Sequence, residues 1–268
     1  MALWFAVILG LTQGAAEFLP VSSSGHLGLL QAFFPALAPD AGLSFDVLLH
    51  LGTLLSLTLV YRRELWGMMR ALLPGSGEEK REGRRLLGLL MLGTLPLGLV
   101  LPLRGWIEAR CTDAVFIGAA LLANGALLFI SDKLLAGRKE LRTAGAGDAL
   151  LVGVLQAFAA LPGISRSGST ITAGVLAGLR REDAVRYSFL LSFPAVLGAC
   201  LVKLSEALRD GFDKALLFPS LAGAAAAALS GLLAIRLVGR LARRGGFRRF
   251  SLYCWAVGLA AIILRLIT

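Results

Sequence analysis

Six stretches of this chain, at about residues 43–61, 86–103, 114–131, 184–204, 215–239 and 250–267, run for close to 20 residues each with few charges, most of them near the ends. An α-helix of about 20 residues spans roughly 30 Å, the thickness of a bilayer's hydrocarbon core. In that core the backbone polar groups must bond to one another, which leaves helices and closed barrels as the spanning structures. A barrel needs apolar–polar alternation in repeated segments of about ten residues, and none recurs here. Composition agrees: 57% of the residues are hydrophobic, 16% are charged, and the mean hydropathy is +0.77. A soluble domain carries about 25% charged residues. The expected fold class is therefore an all-α integral membrane protein with six transmembrane helices.

The formal net charge of +10 would suggest a nucleic-acid partner in a soluble protein. Here the basic residues flank apolar spans, where they set orientation instead, so no nucleic acid is expected. Cys111, Cys200 and Cys254 are odd in number and scattered, and match no metal or disulfide spacing. Met1–Gly10 has no basic start and no cleavage signal, so it reads as mature chain.

Loop charge orients the spans. Arg62, Arg63, Arg70, Lys80, Arg81, Arg84 and Arg85 fill the 62–85 segment, read as a loop. Lys133, Arg138, Lys139 and Arg142 fill the 132–142 loop, and Arg240, Arg243, Arg244, Arg248 and Arg249 precede the last span. These sides should be cytoplasmic. Loops 104–113 and 205–214 balance acid and base and should be external. A full span at 149–183 would carry Arg180, Arg181 and Arg186 outside, so that segment is expected to enter and leave on one side as a re-entrant hairpin. The segment 3–38 is expected to do the same from the outside, because Pro39–Gly42 has no basic residue.

An internal repeat supports this organisation. At an offset of 156 − 13 = 143, Gly10 meets Gly153, Gln13 meets Gln156, Val21 meets Ile164, Ser22 meets Ser165, Ser24 meets Ser167 and Gly25 meets Gly168; Ser44-Phe45 echoes Ser188-Phe189. The chain divides into a first repeat, 1–142, and a second, 143–268. Each is one hairpin plus three spans within a single membrane domain. Three spans per repeat invert one repeat relative to the other, an arrangement that commonly places a site near the midplane.

The chemistry gathers at the two hairpin tips. In the first, Gln13 and Glu17 share a helix face, Pro20 ends the helix, and Ser22, Ser23, Ser24, Gly25 and His26 follow. A carboxylate at Glu17 facing lipid would cost about 2.5–3.5 kcal/mol or more, so it should face a cavity, a cation or a partner. A serine run alone would be an ordinary helix cap; beside Glu17 and His26 it suggests an activated hydroxyl and an anion site at a helix N-terminus. In the second tip, Arg166 is the one charge between Asp148 and Arg180, set among Ser165, Ser167 and Thr170. A guanidinium forks onto phosphate or carboxylate oxygens, and here it could also simply neutralise Glu17. Together the tips suit attack on a phosphate ester or anhydride. Glu17, with Gln13, is the candidate holder of Mg²⁺ or Ca²⁺. Ser23 or His26 would attack, or His26 would act as base. Ser22, Ser24, Ser165, Arg166, Ser167 and Thr170 would bind phosphate, and Arg166 would also stabilise the transferred group. His50, four residues after Asp46, is a weaker candidate, and Asn124, Glu206 and Asp213 read as structural or solvated.

These motifs resemble the bacterial undecaprenyl-pyrophosphate phosphatase family of the BacA type. Its pattern is Glu/Gln-x-x-x-Glu running into Phe-Leu-Pro-x-Ser-Ser-x-Gly-His, then Pro-Gly-x-Ser-Arg-Ser-x-x-Thr, matched here by Gln13–Glu17, Phe18–His26 and Pro162–Thr170. Similar runs at Phe45–Gly52 and Ser188–Gly198 extend the likeness over most of the chain. The resemblance implies dephosphorylation of undecaprenyl diphosphate to the monophosphate with a divalent cation. It implies recycling of the lipid carrier for peptidoglycan synthesis, a link to bacitracin resistance, and a multi-pass location in the bacterial inner membrane with the site facing the periplasm. It carries over Glu17 for metal or acid–base work, Ser23 and His26 for attack, and Arg166 and Thr170 for phosphate. Many members have Glu where this chain has Gln13, which departs from a two-carboxylate metal site. Membrane lipids and the polyprenyl diphosphate are the expected partners, and a homodimer is compatible with the sequence. The phosphatidic-acid-phosphatase class also uses Ser-Gly-His and Ser-Arg, but it requires a later His, and none follows Ser165-Arg166 here. A lipid flippase or transporter built on the same repeat is the rival reading.

Overall fold

A computed structural model describes residues 1–37, 42–133, 137–210, 216–244 and 246–267. The described residues form helices α1 (Leu3–Phe18), α2 (Ser23–Phe33), α3 (Gly42–Val60), α4 (Arg62–Ala71), α5 (Glu78–Thr94), α6 (Arg104–Glu108), α7 (Ala114–Lys133), α8 (Ala146–Phe158), α9 (Arg166–Leu176), α10 (Arg181–Asp210), α11 (Leu217–Arg244) and α12 (Arg248–Ile267). No strand occurs among them; one parallel bridge joins Lys139 to Leu179.

Five helical segments are long and apolar enough to cross a membrane: Glu78–Glu108, Ala114–Lys133, Arg181–Ser205, Leu217–Arg243 and Arg248–Ile267. Phe45–Val60 makes a sixth when counted with Arg62–Ala71, to which it is bent by 83°. All six expected spans therefore fall on helices, and this is an all-helical, multi-pass membrane protein. By contrast α1, with 16 residues, and α8, with 13, are apolar but short. At 1.5 Å per residue they reach about 24 Å and 20 Å, less than a hydrocarbon core.

Three expectations are corrected. The basic 62–85 segment is not a loop. Arg62, Arg63 and Arg70 lie on α4 beside Trp66 and Met68, and Arg70 sits over the Trp66 ring at 5.2 Å. That mix of cations and apolar side chains on one helix suits a membrane surface. The 86–103 span begins earlier, at Glu78, and tightens to a 3₁₀ helix over Leu95–Leu103, where Pro96 and Pro102 remove N–H donors from the α-pattern. The 205–214 loop is helical as far as Asp210; the Glu206 side chain and Asp213 lie outside the described residues, as does most of Pro39–Gly42.

α1 lies chiefly against α11, α7 against α12, and α3 between α11 and α10. The α1–α11 approach needs glycine: a Cβ on Gly14 would sit 2.1 Å from the Ala227 carbonyl oxygen. Small residues allow such backbone approach, on which helix packing in lipid depends. The apolar fill around the tips comes from Phe18, Val185 and Phe189 on one side and Val21, Ile117 and Leu121 on the other. Helix starts also follow the sequence offset: Leu3 and Ala146, and Ser23 and Arg166, are each 143 apart (146 − 3 and 166 − 23).

Candidate active site

The site forms where the breaks after α1 and α8 meet. Pro20 has no N–H and disfavours helix at Leu19. α1 accordingly ends there, with Leu19 extended. Ser22 then takes φ 73°, the one described non-glycine residue with positive φ, a conformation that costs on the order of 1–3 kcal/mol and clusters at functional sites. The turn lets the Ser22 side chain cap α2: its Oγ accepts from the Gly25 N–H at 3.2 Å. Ser165 caps α9 in the same way, accepting from Gly168 N–H at 3.1 Å. Ser22 Oγ lies 3.3 Å from Ser24 Oγ, and Ser165 Oγ lies 3.1 Å from Ser167 Oγ. Residues matched by the 143 offset thus do the same structural work in both tips.

Four cross-links hold the tips together. Gly163 N–H donates to Ser22 Oγ at 3.2 Å. Ser167 Oγ donates to the Leu19 carbonyl at 3.1 Å. Asn124, fully buried on α7, donates to the Pro20 carbonyl at 3.0 Å and accepts from Ser165 N–H at 3.0 Å. Arg166 Nη2 reaches Glu17 Oε1 at 2.5 Å. The contact is tight: a Cβ on Gly25 would stand 2.9 Å from Gly163 Cα.

Glu17 is the hub. Besides Arg166 it accepts from Ser23 Oγ at 2.6 Å and from Gln13 Nε2 at 3.2 Å, both through Oε2. Two buried polar atoms beside it have no partner, Gln13 Oε1 and Arg166 Nη1. A cavity of about 310 Å³ opens here, lined by Glu17, Ser22, Ser23, Ser24, His50, Gln156 and Arg166, with Leu97, Ile164, Val196 and several alanines as its apolar wall. A charge-assisted carboxylate–hydroxyl pair next to a guanidinium with an idle N–H is equipped to take an anion and move a proton.

The structure brings Glu17, Ser22, Ser23, Ser24, Arg166 and the weaker candidate His50 to this cavity, with Gln13 bonded behind Glu17, whereas Ser165, Ser167, Thr170 and His26 do not line it. Ser165, Ser167 and Thr170 are each about 1% exposed, and their hydroxyls are spent inside the fold. Thr170 Oγ1 donates to the Arg166 carbonyl at 2.8 Å and lies 2.6 Å from Ser188 Oγ on α10. His26 does not line the cavity that Ser23 lines. Its Nδ1 is 2.7 Å from the Ser22 carbonyl, its Nε2 is 2.9 Å from Tyr253 Oη on α12, and its ring stacks on Tyr253. It lines a different groove with Thr12, Leu19, Arg249 and Phe250, and α1 forms the wall between the two. His50, the weaker candidate of the sequence, lines the cavity, and Asn124 has the structural role expected of it. Sequence reading passed over Gln156 as a site residue, although Gln156 is the repeat partner of Gln13.

No group of three or more His, Cys, Asp or Glu that could hold a metal occurs among the described residues. The donors present fit a sparser site. Glu17 is the one carboxylate lining the cavity, and the Gln13 amide beside it has a buried, unpartnered oxygen. Mg²⁺ is commonly bound through one or two carboxylates plus substrate phosphates.

Comparison with known proteins places the chain among named relatives. The family model described as "Bacitracin resistance protein BacA" matches residues 6–260. A curated protein of Desulforapulum autotrophicum named undecaprenyl-diphosphatase is 40% identical over 277 residues, covering 98% of this chain and 98% of that protein. Proteins of the same name from Halothermothrix orenii, 40% identical over 265 residues, and Methanosphaera stadtmanae, 37% identical over 276 residues, also cover 98% of both chains.

Proposed function

Because the chain belongs to the bacitracin resistance protein BacA family, we propose that it hydrolyses undecaprenyl diphosphate to undecaprenyl phosphate and inorganic phosphate, with Ser23, Glu17 and Arg166 as its working residues. The reaction is that of its named relatives, and it returns the lipid carrier to peptidoglycan synthesis. One observation carries the site reading: Ser23 donates its hydroxyl hydrogen to Glu17 at 2.6 Å, while Arg166, bonded to the same carboxylate, keeps a buried N–H free.

The steps follow from those contacts. The terminal phosphate enters the cavity and takes the idle Arg166 N–H. As the guanidinium turns its charge to the phosphate, Glu17 is free to receive the Ser23 proton. Ser23 Oγ forms a bond to the terminal phosphorus, and the bond from that phosphorus to the bridging oxygen breaks. Undecaprenyl phosphate departs with the bridging oxygen. Water then attacks the phosphoserine, inorganic phosphate leaves, and Glu17 returns the proton to Ser23. Arg166 and the N-terminus of α2 stabilise the charge on the transferred group. A divalent cation held by Glu17 and Gln13 would supply Lewis-acid neutralisation of the phosphate oxygens. His26 acts through the Ser22 carbonyl to hold the Ser22–Ser23 turn, and Ser165, Ser167 and Thr170 fix Arg166. This division of labour favours hydrolysis over a flippase, which needs phosphate binding but no hydroxyl–carboxylate pair.

In the membrane, α1–α2 and α8–α9 are two re-entrant hairpins of an inverted repeat that enter from opposite faces, beside six spans. The location is the bacterial inner membrane, with the cavity open to the outside. The matched helix bounds, the short reach of α1 and α8, and the basic flanks of the spans support this topology. Purified protein in detergent, given a polyprenyl diphosphate and Mg²⁺ or Ca²⁺, should release phosphate, and Ser23→Ala and Arg166→Ala should each abolish release while the protein remains folded. Full activity in either variant overturns the site assignment, and lipid binding without any release by the parent protein overturns the hydrolase reading.

A further inference from the structure

The cavity contains an imidazole, and it is not the one in the serine motif. His50 projects from α3 into the space shared by Glu17, Ser23 and Arg166. Its Nδ1 lies 2.8 Å from the Asp46 carbonyl oxygen. A carbonyl can only accept, so Nδ1 carries the hydrogen and that nitrogen is spoken for. The ring's other nitrogen, Nε2, has no hydrogen-bond partner among the described residues. The helix that carries the ring is fixed to its neighbours on either side: the Asp46 side chain is paired at 2.7 Å with Lys203 of α10, and α3 lies so close to α11 that a Cβ on Gly52 would be 2.3 Å from the Ala224 carbonyl oxygen.

Charge bookkeeping gives this nitrogen a task. Glu17 and Arg166 are the two fully charged side chains lining the cavity, and they cancel. A diphosphate brings several negative charges and more oxygens than Arg166 and Ser23 can serve. We propose that His50 Nε2 is a phosphate-binding contact for the substrate. One proton lies between Nε2 and a non-bridging oxygen of the terminal phosphate, a contact that holds the phosphate in the cavity. This rests on the hydrolase reading of the cavity but assigns a residue outside both sequence motifs. His50 forms and breaks no covalent bond, so its loss falls on substrate binding rather than on the chemical step.

Phosphate release from a polyprenyl diphosphate, inhibition by inorganic phosphate, and stabilisation of the protein by inorganic phosphate together test this. His50→Leu should raise KM and the inhibition constant of phosphate together by about tenfold or more, the scale of one lost charge-assisted hydrogen bond, with kcat within about threefold. His50→Gln, which restores a polar group of similar reach, should return both constants to within about threefold of the parent. The thermal shift caused by phosphate should shrink in His50→Leu and recover in His50→Gln. KM and inhibition constant unchanged in His50→Leu, or kcat falling with both constants intact, overturns the assignment. Should His50→Leu fail to fold, His50→Phe keeps the ring volume without nitrogen and is held to the same outcomes. If the parent protein releases no phosphate, the hydrolase reading fails, and the thermal-shift arm still decides whether His50 binds phosphate.

Discussion

Replacing Asn124 with Leu removes the one side chain that bonds both helix breaks. The volumes are similar, so the fold loses hydrogen bonds rather than packing. Two buried backbone groups lose their bonds at 3.0 Å, the Ser165 N–H and the Pro20 carbonyl, the latter keeping only a weak 4.0 Å contact from the Cys254 thiol; the 3.4 Å contact to Cys254 Sγ is a weak third. A buried polar group left without its partner costs about 1–3 kcal/mol, so the variant should lose on the order of 2–6 kcal/mol. For a chain of this size 1 kcal/mol shifts the melting temperature by about 2–4 °C, which makes a fall of at least about 4 °C the expected reading in detergent. Catalysis should suffer more than stability. Pro20 and Ser165 lie two and one residues from Ser22 and Arg166, and a displacement of about 1 Å at such a site costs on the order of 10²-fold. Melting by intrinsic fluorescence and kcat/KM for phosphate release measure both effects. A Leu variant within about 2 °C and threefold of the parent would falsify the claim that Asn124 sets the geometry of the tips.

Three further outcomes are expected. Gly25→Ala places a Cβ 2.9 Å from Gly163 Cα, backbone against backbone with nothing flexible to yield, so the tips must part and phosphate release should drop by at least about 10²-fold; near-parental activity would show that the tips do not meet this closely. A single cysteine introduced between 138 and 147, in a background lacking Cys111, Cys200 and Cys254, should react with an impermeant reagent only from the cytoplasm, and labelling from outside would reverse the proposed orientation. At the start of α7, the Phe116 N–H and Arg110 hold the Asp113 carboxyl below the usual carboxylate range. A depressed carboxylate stabilises the fold above its ordinary value and loses that effect as pH falls through its lowered one, so protection of the Phe116 amide relative to the free-peptide exchange rate should fall below about pH 3.9 and stay flat across that range in Asp113→Asn.

The spans were legible because bilayer thickness fixes the length of an apolar helix, and no packing detail alters that. The breaks were legible too: Pro20 ends α1, and the Pro162-Gly163 turn follows α8. What the sequence could not show was which way each polar group turns. Ser23 and His26 are three apart on α2 and would share a face by spacing alone. The His26 ring nonetheless bonds back to its own turn at Ser22 and outward to Tyr253, 227 residues along the chain. His50 sits among leucines in the Phe45–Gly52 run, and the packing of α3 against α1, α10 and α11 puts it in the cavity. Thr170 and Ser167 looked like phosphate donors because hydroxyls cluster around Arg166. In an apolar interior those same hydroxyls must first satisfy nearby backbone carbonyls, and none is left over.

The repeat bears on the chemistry as well as the scaffold. Adding 143 to Gln13, Glu17 and Ser23 gives Gln156, Ala160 and Arg166. Gln156 and Ala160 line the cavity with Glu17, Ser23 and Arg166, while Gln13 stands behind Glu17. Positions matched by the offset thus reach a single space from both tips, and the residues filling them differ. Where one tip has the carboxylate, the other has a methyl group; where one has the hydroxyl, the other has the guanidinium. A symmetric filling would fail electrostatically. Two carboxylates would repel an anionic substrate, and two guanidiniums would bind it with no base to take a proton from the nucleophile. Glu17 opposite Ala160 and Ser23 opposite Arg166 give each charge one copy, so that the acid, the hydroxyl and the cation meet in a chain of contacts at 2.6 and 2.5 Å. Ala160→Glu would restore the symmetry, adding a carboxylate beside the entering phosphate. The repulsion should raise KM more than it lowers kcat, and an unchanged KM would show that positions 17 and 160 do not face the same phosphate.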